Sequence, residues 1–177
     1  MELETERLLV REFTSSDLNS VYEYSSDPEV VQYMPFGPNT LLDSIKFLER
    51  AIKRQSDENR TDYELAVTMK DTGELIGGCR INKASDNEAN IGYIYNMKYW
   101  GKGYATEVAQ ALVEYGFDTL GVHRVYATCE PENVASKRVL EKVGMVLEGR
   151  LRENMVIHGR FRDSFILSIL KHECNKT

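Results

Sequence analysis

The spacing of apolar positions divides the chain of 177 residues into alternating helical and extended segments. After Thr14, the residues Leu18, Val21 and Tyr22 fall on one helical face, and Asp17 stands three places past Thr14 as in a capping box. After Asn39 and Thr40, Leu41, Ile45, Leu48 and Ile52 recur at helical steps. The strongest stripe is Ala105, Val108, Ala109, Leu112, Val113, Gly116, Phe117 and Leu120. Thr106, Glu107, Gln110, Glu114 and Asp118 face away from it, and Gly121 supplies the stop. A fourth helix is expected over 134–143, with Asn133 as its N-cap and Gly144 as its end.

Strict alternation marks strands instead. Tyr63, Leu65, Val67 and Met69 alternate with Glu64, Ala66 and Thr68, the pattern of a half-buried strand. The turn Asp71-Thr72-Gly73 joins it to 75–81 as a hairpin. Further strands are expected at 8–12, 91–95, 124–129, 145–152 and 161–170. Strand, helix and strand over 91–129 require a crossover, so the sheet is locally parallel or splayed there and antiparallel elsewhere. The expected fold class is α+β, with a twisted mixed sheet of about seven strands and about four helices on its faces. Residues 1–170 form one domain in this reading, and 171–177 a polar, frayed tail.

Composition narrows the function. Apolar residues make up 42% and charged residues 28%, which is globular rather than disordered. The 22 Lys+Arg against 28 Asp+Glu give a net charge of −6. That balance argues against bulk binding to nucleic acid or to an anionic membrane, and weakly favours a cationic partner such as an amine. No apolar run approaches a membrane span, and the acidic first residues do not resemble a signal peptide. Cys79, Cys129 and Cys174 form no CxxC pair, and His123, His158 and His172 show no metal spacing. A reduced, cytoplasmic protein without a metal is the expectation.

Chemistry concentrates between residues 91 and 107. A strand ends near Asn96, a loop with Gly101 and Gly103 follows, and the best helix then begins near Tyr104. Free N–H groups and the positive dipole end at a helix start suit a phosphate, glycines let it approach, and Lys102 adds charge. The loop is neither a nucleoside-triphosphate P-loop nor G-x-G-x-x-G.

Trp100-Gly101-Lys102-Gly103-Tyr104-Ala105 resembles the x-G-[KR]-G-x-[GA] pyrophosphate loop of the GCN5-related N-acetyltransferases. Ile91-Gly92-Tyr93, Thr5-Glu6-Arg7-Leu8, Asn133-Val134-Ala135-Ser136 and Leu140-Glu141-Lys142-Val143-Gly144-Met145 resemble segments of the branch that contains RimJ and RimL, as do His158-Gly159 and Asp163. The resemblance spans nearly the whole chain. It implies an acetyl-CoA-dependent N-acetyltransferase that acts on a primary amine in a ternary complex. The acceptor would be a protein N-terminal amine, as in ribosomal proteins, or a small-molecule amine.

By that resemblance, Gly101, Lys102, Gly103, Tyr104, Ala105 and Thr106 hold the CoA pyrophosphate. Main chain near Tyr95 and Met97 pairs with the pantetheine arm in a gap between splayed strands, and Asn133 bonds the pantetheine amide while also capping its helix. Ser136 faces the departing thiolate. Asn90 stands where relatives carry a Glu and Leu140 where many carry a Tyr, so Glu88 is the substitute base or, equally, a solvated loop acid. Tyr33, Met34 and Phe36 form an apolar wall of the acceptor site or pack on the core. An exposed edge strand near the C-terminus suits a homodimer. The two departures also raise an alternative, a CoA-binding regulatory module without catalysis.

Overall fold

A computed structural model describes residues 1–174. Its strands are β1 (Glu2–Glu4), β2 (Leu8–Glu12), β3 (Asp62–Met69), β4 (Leu75–Lys83), β5 (Glu88–Tyr95), β6 (Arg124–Cys129), β7 (Val146–Ile157) and β8 (Arg160–Leu170). Its helices are α1 (Leu18–Ser25), α2 (Pro28–Val31), α3 (Leu41–Arg54), α4 (Tyr104–Asp118), α5 (Val134–Lys142) and α6 (Lys171–Cys174). The strands form one sheet in the order β1-β2-β3-β4-β5-β6-β8-β7. Every neighbouring pair is antiparallel except β5 and β6.

Period two in β3 sorts side chains to two cores. Leu65 and Val67 join Val108, Leu112, Val113 and Phe117 of α4 on one face. Ala66 joins Phe13, Val21, Tyr24, Val31 and Leu48 under α1–α3 on the other. Val108, Leu112 and Val113 are fully buried, which stabilises the α4–sheet contact by roughly 1.5–3 kcal/mol for each side chain. The predicted capping box of Thr14 with Asp17 forms, and a second, not predicted, joins Thr40 with Asp43.

The α+β expectation holds, with three short elements added. β1 is three residues long, and α2 and α6 are four each, too short to leave a periodic signature. Part of the expected frayed tail is therefore ordered as α6, where the Leu170 N–H donates to Glu173 and Lys171 donates to the Phe117 carbonyl. Residues 175–177 of that tail lie outside the described residues. No helix among the described residues is long and apolar enough to cross a membrane.

The crossover creates a fork. β5 and β6 pair only from Glu88↔Arg124 to Asn90↔Tyr126. Beyond that point β5 runs on to Tyr95 beside β4, and β6 runs on to Cys129 beside β8, with no ladder between them. The Asn96 N–H donates to the Ile76 carbonyl, so alternation turns the main-chain groups of Ile91, Tyr93 and Tyr95 away from β4 and toward the open fork.

Candidate active site

The glycine loop is built as a set of unpartnered donors. Gly101 (φ 72°) and Gly103 (φ 84°) adopt left-handed backbone, which other residues take only with strain. The first hydrogen bond of α4 runs from the Glu107 N–H to the Gly103 carbonyl at 3.1 Å. The N–H groups of Lys102, Gly103, Tyr104, Ala105 and Thr106 find no protein acceptor among the described residues. A Cβ at Gly101 would meet nothing within 4 Å, so the space before the loop is open.

Arg7 holds this loop in place. Its Nη1 donates to the Lys102 carbonyl at 3.0 Å, its guanidinium lies 4.5 Å from the centre of the Tyr104 ring, and its Nε donates to Glu107 at 2.8 Å. Burial raises the Glu107 carboxyl, but hydrogen bonds from Thr5, the Arg7 N–H and the Arg7 guanidinium outweigh it and hold the group below the usual glutamate range.

One residue of the predicted pantetheine path, Met97, sits differently from expectation. The strand stops at Tyr95, because the Asn96 side chain accepts the Lys98 N–H and starts a 3-10 turn over Met97–Tyr99. Met97 therefore belongs to a turn, not a strand. Its carbonyl is taken by the Trp100 N–H, whereas its own N–H has no protein acceptor among the described residues. The Trp100 indole donates to the Tyr95 carbonyl at 2.9 Å, so Trp100 anchors the loop.

A cavity of about 1050 Å³ enters the fork. Ile91, Gly92, Tyr93 and Ile94 line it from β5, and Ala127, Thr128 and Cys129 from β6. Asn90 closes its floor, with Nδ2 directed at the Tyr126 carbonyl at 3.3 Å. Tyr33, Met34 and Phe36 line it as expected, and so do Asn133 and Ser136. Glu88 is not brought there. It heads β5, pairs with Arg124 at 2.8 Å, and is absent from the cavity lining. Burial pushes the Cys129 thiol up to about 11, which keeps it protonated and inert.

The tip of α5 combines a cap with a proton donor. Asn133 Oδ1 accepts the Ser136 N–H at 3.0 Å, which is the N-cap bond, and leaves Nδ2 for a ligand. Ser136 Oγ lies 3.0 Å from the Tyr93 hydroxyl across the fork. Burial holds the Tyr93 phenol well above the usual tyrosine range, against the lowering effect of Ser136. Sequence reasoning missed Tyr93 as a partner of Ser136. Its alternation in β5 places it on the fork side, but nothing local pairs it with a residue 43 positions away. Leu140 is a core residue of α5, 1% exposed, and takes no part in the site's polar chemistry.

Residues 7–146 match the Acetyltransferase (GNAT) domain. The chain is 38% identical over 176 residues to a Bacillus subtilis (strain 168) protein named "Uncharacterized N-acetyltransferase YnaD", covering 99% of this chain and all of that one. It superimposes on an acetyltransferase (GNAT family) from Bacillus anthracis with a TM-score of 0.87 at 35% identity, covering 98% and 100% of the two chains. It is also 25% identical to the spermidine N(1)-acetyltransferase of Escherichia coli (strain K12), covering 93% of this chain and 86% of that one. The chain belongs to the GNAT acetyltransferase family, and it is an acetyl-CoA-dependent N-acetyltransferase.

Proposed function

We propose that the protein transfers acetyl from acetyl-CoA to a primary amine by direct attack in a ternary complex. The fork carries this reading. It presents the Ile91 carbonyl, the main-chain groups of Tyr93 and the Tyr95 N–H to an extended arm, and it opens beside five unpartnered N–H groups that suit a diphosphate. The pyrophosphate rests on residues 101–106 and the pantetheine lies along β5, with Asn133 Nδ2 on one of its amides. An N–H near Met97 polarises the thioester carbonyl.

The amine nitrogen attacks the thioester carbon, and the carbon–sulfur bond breaks as the tetrahedral oxyanion collapses. Proximity supplies much of the rate, because the thioester is already activated. The departing thiolate accepts a hydrogen bond from Ser136, whose hydroxyl Tyr93 orients, and takes its proton from water. The proton of the attacking ammonium leaves through a water held at Asn90. An amide cannot accept that proton itself, and Glu88 is already engaged by Arg124.

The E. coli relative's name supports an amine acceptor. Placement beside RimJ and RimL rests on the Asn133-to-Ser136 and Glu141-to-Gly144 motifs. The free cysteines support a cytoplasmic location, and the edge strand β7, which exposes Val146 and Val156, supports a homodimer. The test is acetyl-CoA thiol release against a panel of N-terminal peptides and small amines. Acceptor-dependent release is expected; CoA binding without any release would favour a non-catalytic module.

A further inference from the structure

The wall of the cavity opposite the fork is made by α3 and the neighbouring ends of β3 and β4. Lys46, Arg50 and Arg54 lie four residues apart on one face of α3, and all three line the cavity with Arg80 of β4. Asp62 and Glu64 of β3 stand beneath them. Arg50 pairs with Glu64 at 3.0 Å, Arg54 bridges Asp62 at 2.9 Å and Glu64 at 3.4 Å, and Arg80 grips Asp62 at 2.6 Å. Three guanidinium groups thus share two carboxylates.

The layering decides what a ligand meets. The Glu64 and Asp62 side chains are only 15% and 21% exposed, whereas those of Arg50, Arg54 and Arg80 are 52%, 43% and 45% exposed. Arg50 Nη1, Arg54 Nη2 and Arg80 Nη1 donate to no protein acceptor among the described residues, and Lys46 makes no ion pair among them. Each remaining lining carboxylate is engaged through one oxygen, while among the described residues Asp43 Oδ1 is unpaired and Glu130 Oε1 is buried without a partner. Asp43 receives the Thr40 N–H and hydroxyl in the α3 cap, and Glu130 is buried against Arg162 at 2.8 Å. A polycation entering this cavity finds one exposed carboxylate oxygen, Asp43 Oδ1, at the N-terminal end of α3, whereas an anion finds a row of guanidinium donors along its length.

We infer that the acceptor amine belongs to a molecule that also carries an anionic group, a carboxylate or a phosphonate, held by Arg50 and Arg54 while its amine faces the fork. This reverses the weak expectation from net charge, because the local wall is cationic in an acidic chain. It rests on the reading of this cavity as the acceptor site.

Matched acceptors test it. Tyrosine against tyramine forms the carboxylate arm, 2-aminoethylphosphonate against ethanolamine the phosphonate arm, and spermidine the polycation. At least one acid-bearing amine is expected to exceed its matched amine and spermidine by about tenfold or more in kcat/KM. Arg50→Gln with Arg54→Gln should reduce that preference, read as the ratio of kcat/KM within each matched pair, to less than about threefold. Lys46→Gln, which breaks no ion pair, is the second variant if the double variant does not fold, and it should weaken the preference in the same direction. Equal or better turnover of the matched amine in both arms, spermidine turnover equal to or above that of every acid-bearing amine, no turnover of any acid-bearing amine, or an undiminished preference in the variants would overturn the inference. A separate calorimetric titration with CoA distinguishes the two levels: intact CoA binding leaves the acetyltransferase reading standing when the preference fails, and lost CoA binding removes both.

Discussion

Arg7 and Glu107 are joined by a guanidinium–carboxylate contact of 2.7 Å, and the same arginine reaches the Lys102 carbonyl at 3.0 Å. One residue before β2 therefore fixes both the first turn of α4 and the loop that enters it. The pair is partly exposed, so its direct contribution to stability is about 1 kcal/mol or less. Its larger effect is positional. Arg7→Ala should raise the KM for acetyl-CoA by about fivefold or more while changing kcat little, read from steady-state kinetics.

The same contact sets a pH dependence. Glu107 is held below the usual glutamate range in the folded protein. Its stabilising contribution is present in full above the ordinary glutamate value and is lost as the pH falls through the lowered one. Glu107→Gln should therefore lower the midpoint of thermal unfolding at neutral pH, and the gap from the parent protein should shrink in acid.

At Gly103 the left-handed backbone and the approach of a ligand coincide. Gly103→Val places a β-branched side chain at φ 84°, which costs about 1–2 kcal/mol in backbone strain. It should weaken CoA binding by at least about tenfold with circular dichroism unchanged, since α4 retains its buried face.

Tyr93 and Ser136 act as one unit in the proposed stabilisation of the departing thiolate. Tyr93→Phe and Ser136→Ala should each lower kcat by about tenfold to a hundredfold, with CoA affinity kept. The double variant should lose little more than the worse single one, because both break the same hydrogen-bonded pair.

Much of this site is legible in the chain, and the divisions are physical. Helical and strand periods place α4, β3 and the glycine loop because those patterns are local. The shape of the fork follows from one parallel pairing forced by a crossover. What escapes local pattern is contact between distant side chains: Arg7 with Glu107, Tyr93 with Ser136, and α3 arginines with β3 carboxylates. Met97, expected on the strand edge beside the pantetheine, sits in a turn because Asn96 caps that turn with its own side chain. Glu88 looked available as a base until Arg124, its partner in the parallel register, proved to hold it.

Asn133 has two roles that one substitution pair separates. Asn133→Ala removes the α5 cap and should cost about 1 kcal/mol in unfolding free energy. Asn133→Asp keeps an equivalent cap acceptor but loses the Nδ2 donor, so it should retain thermal stability and still weaken CoA binding.

The most direct measurement is an amide-resolved NMR titration of the ¹⁵N-labelled protein with CoA. The N–H signals of residues 102–106 and of Ile91, Tyr93, Tyr95 and Met97 should shift together along one saturable curve. Saturable shifts confined to other parts of the chain, or none at millimolar CoA, would contradict a diphosphate seated on the start of α4 with its arm in the fork.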